Sequence, residues 1–185
     1  YRYQDSLRRF SIVAGQVLLT AGDLENPVHR SNAQRAMERL LNLRILPIVN
    51  ENDTVATHEI RFGDNDRLAA MVAQLVEADA LVLLSDVESL YTRPPSEPGA
   101  EPIDRVAFGD PLTGLEFGSV GIAGVGTGGA ATKVSAARLA AASGVGVLVT
   151  SSELVAEALS GAEIGTWFEP SPADRATRTI GRLSE

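Results

Sequence analysis

Apolar and polar positions change period several times along the chain, and each change marks an element. "YQDSLRRF" has helical spacing and leads into a short apolar run, "QVLLT", that predicts a strand. "SNAQRAMERLLNLR" places Ala33, Met37, Leu40 and Leu41 on one helical face, with Ser31 as the expected N-cap. The strand "ILPIVN" follows at once, and "TVATHEIRFG" alternates well enough for a small hairpin or flap. "DNDRLAAMVAQLVEA" returns to helical spacing with Asp64 and Asp66 in its first turn, the end that favours negative charge. "ALVLLSD" is a continuous apolar run closed by a polar pair, the pattern of a buried parallel strand. From Thr92 to Gly121 no period holds, and "RPPSEPGAEP" reads as a surface loop. Regular elements then resume: a small-residue helix "AATKVSAARLAAAS" stopped at Gly144, a strand "VGVLVT", a helix "LVAEALSG" and a last strand "GTWFEP". Alternating strands and helices predict an α/β fold, a mostly parallel central sheet sandwiched by helices. Residues 1–170 are expected to form one domain, and 171–185, with little apolar content, a tail.

Composition narrows the function classes. The chain has 185 residues, 44% hydrophobic and only 5% aromatic, so aliphatic side chains and alanine must fill its core. A net charge of −8 argues against nucleic acid or an anionic membrane as the main partner, since both require a basic footprint. Cysteine is absent, which removes disulfides and thiolate metal sites and fits a reducing, cytoplasmic setting.

Three stretches carry candidate chemistry. The first runs from Asn50 to Asp66, "NENDTVATHEIRFGDND", where acids and amides crowd the end of one predicted strand and the start of the next helix. The second is "GVGTGGAATK", Gly124 to Lys133, and Lys133 is the sole lysine of the chain. Glycines let backbone N–H groups turn toward an anion, a helix N-terminus adds partial positive charge, and a lysine one turn in reaches a phosphoryl oxygen. Their coincidence favours phosphate binding over a solvated loop with a surface lysine. The stretch lacks Walker A spacing. It matches G-x-G-x-x-G literally, but "TGLEFGSVGIA" before it is a poor strand, which disfavours a dinucleotide site. The third is Ser85 and Asp86 at a strand's carboxyl end, where open α/β sheets bind ligands and where an ordinary turn would use the same residues.

Taken in order, "QVLLT", "PIVNENDTVAT", "EIRFGDND", "ADALVLLSD", "SLYT" and "GTGGAATKVSAARLA" resemble the glutamate 5-kinases of the amino acid kinase superfamily, over nearly the whole chain to about "GTWF". The resemblance implies ATP-dependent phosphorylation of the L-glutamate side-chain carboxylate to L-glutamyl 5-phosphate, the first step of proline synthesis, with Mg²⁺ bridging ATP oxygens. It implies that Asp53 and Asn65, with Asn50 and Asn52 beside them, hold glutamate. It places Ser85, Asp86 and the run Thr127, Gly128, Gly129, Ala130, Ala131, Thr132 and Lys133 on ATP. Lys133 would stabilise the transferred phosphoryl group and Asp66 would orient it; no residue is assigned as a protein ligand to the metal. The attacking carboxylate is ionised at neutral pH, so no general base is needed, and His29 and His58 stand outside any partner pattern. A homo-oligomer, dimer or tetramer, and the following reductase of the pathway are the implied protein partners. The family's N-terminal strand with its second lysine, its "SSGA"-type loop and the PUA domain found in many members are not in this sequence. The domain is therefore expected to be N-terminally incomplete, and the segment alone weakly active at best. Acetylglutamate kinase, aspartokinase and uridylate kinase share the fold, and a non-catalytic ligand-binding or oligomerisation remnant is the rival of a different class.

Overall fold

The computed structural model describes residues 2–52, 65–113 and 129–172, and the chain divides into two compact units, Tyr1–Leu68 and Ala69–Glu185. The expected flap at 54–63 and the tail from 173 onward lie outside the described residues.

The first unit contains α1 (Arg2–Arg8), β1 (Val13–Leu19), α2 (Ala21–Glu25), α3 (Pro27–Asn42) and β2 (Ile45–Glu51). Strands β1 and β2 are parallel, in register from Val13 opposite Ile45 to Leu19 opposite Glu51, with the two helices as the crossover. Helix α2 escaped the periodicity because it is only five residues long, but its start was written in "TAGD". The Thr20 hydroxyl accepts the Asp23 N–H at 3.2 Å while the Asp23 carboxylate accepts the Thr20 N–H at 2.8 Å, a reciprocal cap. Hydrogen bonds from the Thr20 hydroxyl and backbone hold the Asp23 carboxyl below the usual carboxylate range, with a smaller contribution from His29, whose Nδ1 lies 3.6 Å away. Ser31 does not begin the next helix. Asn26 does, accepting the N–H groups of Val28 (2.9 Å) and His29 (3.2 Å), with Pro27 at the first helical position. Proline needs no N–H donor there and its fixed φ suits the helix, so the start moves to the Asn-Pro pair and Ser31 lies inside. Arg44, at φ 56°, then turns the chain into β2. Leu19, Ala21, Leu24 and Met37 are buried in this unit.

Helix α4 (Asn65–Leu75) spans the boundary between the units. Beyond it come β3 (Ala80–Ser85), β4 (Leu90–Tyr91), β5 (Pro102–Ile103), β6 (Arg105–Val106), α5 (Ala130–Ala142), β7 (Gly146–Ser151), a single 3₁₀ turn (Ser152–Leu154), α6 (Val155–Leu159) and β8 (Thr166–Phe168). The sheet order is β3-β7-β8-β6; β3 and β7 are parallel, β8 runs against β7, and β6 is parallel to β8. Strands β4 and β5 form a separate antiparallel pair. The aperiodic stretch after Thr92 therefore does hold strands, but two-residue strands are too short to show a period.

The core of this unit lies between β7 and α5. Ala136, Ala137 and Ala140 share one buried cluster with Val147, Val149 and Leu83, and such small side chains let a helix axis come close to a sheet. Two glycines are forced. A Cβ on Gly146 would sit 2.4 Å from the Trp167 ring, and Gly165 combines φ +67° with a Cβ position 2.3 Å from the Val149 carbonyl oxygen. Thr166, fully buried, donates to the Ile103 carbonyl at 2.6 Å and accepts the Leu90 N–H at 2.8 Å, tying the β4–β5 pair to β8. Among the described residues no helix is long and apolar enough to cross a membrane.

Candidate functional site

In the first unit, Asn50 is exposed at the penultimate position of β2 and Asn52 is half-buried just past its carboxyl end. The Asn52 N–H donates to the Leu19 carbonyl at 2.9 Å, so the strand pairing continues one step and holds the amide beside the start of α2. Asn65 and Asp66 open α4, Asn65 exposed and Asp66 half-buried. Asp53 lies outside the described residues. His29 sits in the first turn of α3 against Asp23, a surface pair within the helix-cap region.

The second unit brings its sequence-derived candidates to one edge. Strands β3 and β7 are parallel, so Ser85 and Ser151, paired in register, both mark the carboxyl edge. Helix α5 returns to β7 through a short turn in which the Val145 N–H bonds the Ala140 carbonyl, and so runs opposite to it. Thirteen helical residues span about 20 Å, and the six residues of β7 also span about 20 Å. The N-terminus of α5 therefore reaches the level of Ser85 and Ser151. Gly129 is its N-cap and makes no side-chain cap, while Thr132 turns its hydroxyl back onto the Gly129 carbonyl at 2.8 Å. Thr127 and Gly128 are outside the described residues.

Lys133 is the informative member. It lies one turn into α5 on the helix face that packs inward, with 9% of its surface exposed, next to Val134, Ala136 and Ala137. A cation is favoured at the last turn of a helix and disfavoured at the first, and burying an ammonium carries a desolvation cost. Lys133 is thus kept against both preferences, at the edge where parallel sheets bind ligands. Ser85 donates its hydroxyl to the Asp86 carboxylate at 3.1 Å, which leaves that carboxylate exposed and the serine oxygen able to accept. The arrangement suits an anion at the helix end with donors and a carboxylate along the strand edge.

Ser151 carries no sequence signal beyond "VTSS" at a strand's end. A cavity of about 280 Å³ lined by Phe108, Arg138, Phe168 and Glu169 opens at the opposite, amino edge of β7, where β6, β8 and the last turns of α5 converge. The Arg138 guanidinium there donates to the Asp110 carbonyl at 2.7 Å, and Arg105 pairs with Glu169 at 2.8 Å. Among the described residues no group of three or more His, Cys, Asp or Glu side chains could hold a metal ion.

Fold and site edge together define an α/β protein in which parallel strand ends, a helix N-terminus and a buried lysine share one edge. A family model described as the amino acid kinase family matches residues 1–151, and the chain belongs to that family. The glutamate 5-kinase of Clavibacter sepedonicus is 74% identical over 170 residues, 92% of this chain and 65% of that protein. That of Leifsonia xyli subsp. xyli is 72% identical over 92% of this chain and 63% of its own length. The chain thus spans just under two-thirds of the length of these curated relatives. Among solved structures, Giardia carbamate kinase superposes with a TM-score of 0.61 at 15% identity, over 91% of this chain and 67% of that one. The T. acidophilum isopentenyl phosphate kinase product complex gives 0.58 at 15% identity, over 89% and 63%. At such low identity these two likenesses concern the fold alone.

Proposed function

We propose that the protein transfers the γ-phosphoryl group of ATP to the side-chain carboxylate of L-glutamate, forming L-glutamyl 5-phosphate for proline synthesis. The observation that carries this reading is the sole lysine, buried one turn into α5 at the carboxyl edge of β3 and β7. The glutamate 5-kinase relatives at 72–74% identity supply the acceptor.

In this reading the first turn of α5, from Gly129 to Lys133, receives the phosphates, together with Thr127 and Gly128. The N-terminal end of α5 and the Lys133 ammonium would face charge that spreads over the equatorial oxygens as the phosphoryl group moves. Ser85 and Asp86 serve the nucleotide. The acids and amides Asn50, Asn52, Asp53 and Asn65 serve the amino acid, the carboxylate answering its ammonium and the amides its carboxylates, while Asp66 orients the transfer machinery. Glutamate's side-chain carboxylate is ionised at neutral pH and needs no base to attack. Magnesium, brought in with ATP, would neutralise phosphate charge during the transfer. A cytoplasmic homo-oligomer that passes its labile product to a reductase completes the proposal.

The test is ADP formation by the intact protein with ATP and Mg²⁺ against a panel of glutamate, N-acetylglutamate, aspartate and UMP, with hydroxamate trapping to identify the acyl phosphate formed from the carboxylate acceptors. Glutamate should be preferred by at least about 10²-fold in kcat/KM, the ratio that about 2.7 kcal/mol of differential transition-state binding gives. Preference for another acceptor, or calorimetry showing no Mg²⁺-dependent binding of an ATP analogue, defeats it.

A further inference from the structure

We infer that Ser151, which no sequence motif singles out, is a nucleotide-binding residue whose hydroxyl donates to the ATP held at the α5 edge. The inference rests on the kinase reading above and deepens it. Ser151 ends β7 directly opposite Ser85 of β3, and in a parallel pair residues in register project to the same face. That face is identified by the side chains two residues earlier: Leu83 and Val149 both belong to the buried cluster that holds the alanines of α5. Ser85 and Ser151 therefore point toward the layer of α5, at the level of its N-terminus, on the side to which Lys133 is turned.

The chemistry of Ser151 is otherwise unspent. The residue is 6% exposed, a burial at which a hydroxyl ordinarily has a protein partner. It stands at the N-cap position of the Ser152–Leu154 turn, the place where a serine side chain commonly accepts a backbone N–H, yet its side chain makes no such cap. Its neighbour Ser85 is committed to Asp86 through its hydroxyl hydrogen. Ser151 thus supplies the donor that Ser85 has given away, on the adjacent strand and beside the same helix end. A hydroxyl donor there answers either a phosphate oxygen or an acceptor of the nucleoside, and both belong to the one ligand.

Steady-state kinetics of Ser151→Ala and Ser151→Thr in the intact protein test this. Loss of one hydrogen bond to a bound ligand should raise KM for ATP about threefold to tenfold, leaving kcat and KM for glutamate within about twofold because the contact is the same in ground and transition states. Ser151→Thr, which keeps the hydroxyl, should return KM for ATP to within about twofold of wild type. An Ala variant with unchanged KM for ATP overturns the inference. So does a lowered melting temperature in both variants with kcat falling and KM unmoved, which would make Ser151 a packing residue. If the wild-type protein does not bind ATP, the kinase reading itself falls and Ser151 with it, a result separable from a silent Ala variant.

Discussion

Replacing Lys133 by methionine separates function from stability more sharply than any other change in the described structure. Methionine retains the unbranched stem that packs beside Val134 and Ala137 and removes only the ammonium. On the stability side, two terms favour the variant. The cation sits in the first turn of a 13-residue helix, against the macrodipole, at about 0.3–1 kcal/mol; and a group with 9% exposure no longer carries a buried charge. Against them stands the loss of the interactions the ammonium makes, about 1 kcal/mol. The net change should lie within about 1 kcal/mol of zero, a shift of roughly 2–4 °C at most in Tm. On the activity side, removing a preorganised donor aimed at developing charge costs about 2.7–4 kcal/mol, a fall in kcat of about 10²–10³. The measurements are hydroxamate turnover and a thermal melt on the same preparation. A variant keeping kcat within about threefold would refute the placement of Lys133 on the moving phosphate, and an inactive variant that melts ten or more degrees lower, roughly 3 kcal/mol, would show that its role is structural.

Two threonines on neighbouring strands should respond oppositely to the same substitution. Thr166→Val strands the Leu90 N–H and the Ile103 carbonyl and should cost about 2–4 kcal/mol in urea unfolding. Thr150→Val, at a fully buried hydroxyl with no partner among the described residues, should stabilise by about 1 kcal/mol, and a destabilisation would show that Thr150 does have a partner. Gly165→Ala forces a Cβ onto the Val149 carbonyl at φ +67° and should cost about 3 kcal/mol or more, seen as an earlier transition in Trp167 fluorescence; a neutral result would refute the β7–β8 geometry. Thr20→Ala removes one half of the α2 cap and should cost about 1 kcal/mol at neutral pH. Because the folded-state pKa of Asp23 is depressed, its stabilising contribution is present above the unfolded value near 3.9 and is lost as pH falls through the folded one. The stability gap between wild type and Asp23→Ala should therefore close below about pH 4; a gap that widened there would contradict the cap.

What was legible in the sequence follows from the length over which each signal is integrated. The strands β3 and β7 are continuous apolar runs, and α5 is a long small-residue helix stopped by Gly144, whose φ of +78° is the left-handed turn that ends it. Such signals accumulate over six to thirteen residues. The start of α3 was misplaced because apolar spacing begins at Ala33 while the chemistry that starts the helix lies at Asn26 and Pro27, one turn and more upstream. Strands β4, β5 and β6 left no trace, since two residues carry no period and their pairing is decided by distant groups such as Thr166. The candidate residues Lys133, Ser85 and Asp86 were legible because an unusual residue type coincided with an element boundary. Ser151 was not, because serine at a strand end is ordinary until the register places it beside another serine.

That contrast points to how the edge of the second unit works. Parallel pairing of β3 with β7 aligns two strand ends, and the near-equal lengths of α5 and β7 bring a helix N-terminus to the same level. Neither fact is chemical in itself. Together they bring the positions Ser85, Asp86, Ser151 and Gly129–Lys133 to one edge of the unit. The alanine face of α5 keeps that region in place, since bulkier side chains at Ala136, Ala137 or Ala140 would push the helix off β7 and carry Lys133 with it. A small-residue core is thus a positioning device in this reading: packing one to two helical turns away sets where the ammonium sits, and overpacking at Ala137 should damage kcat before it unfolds the domain.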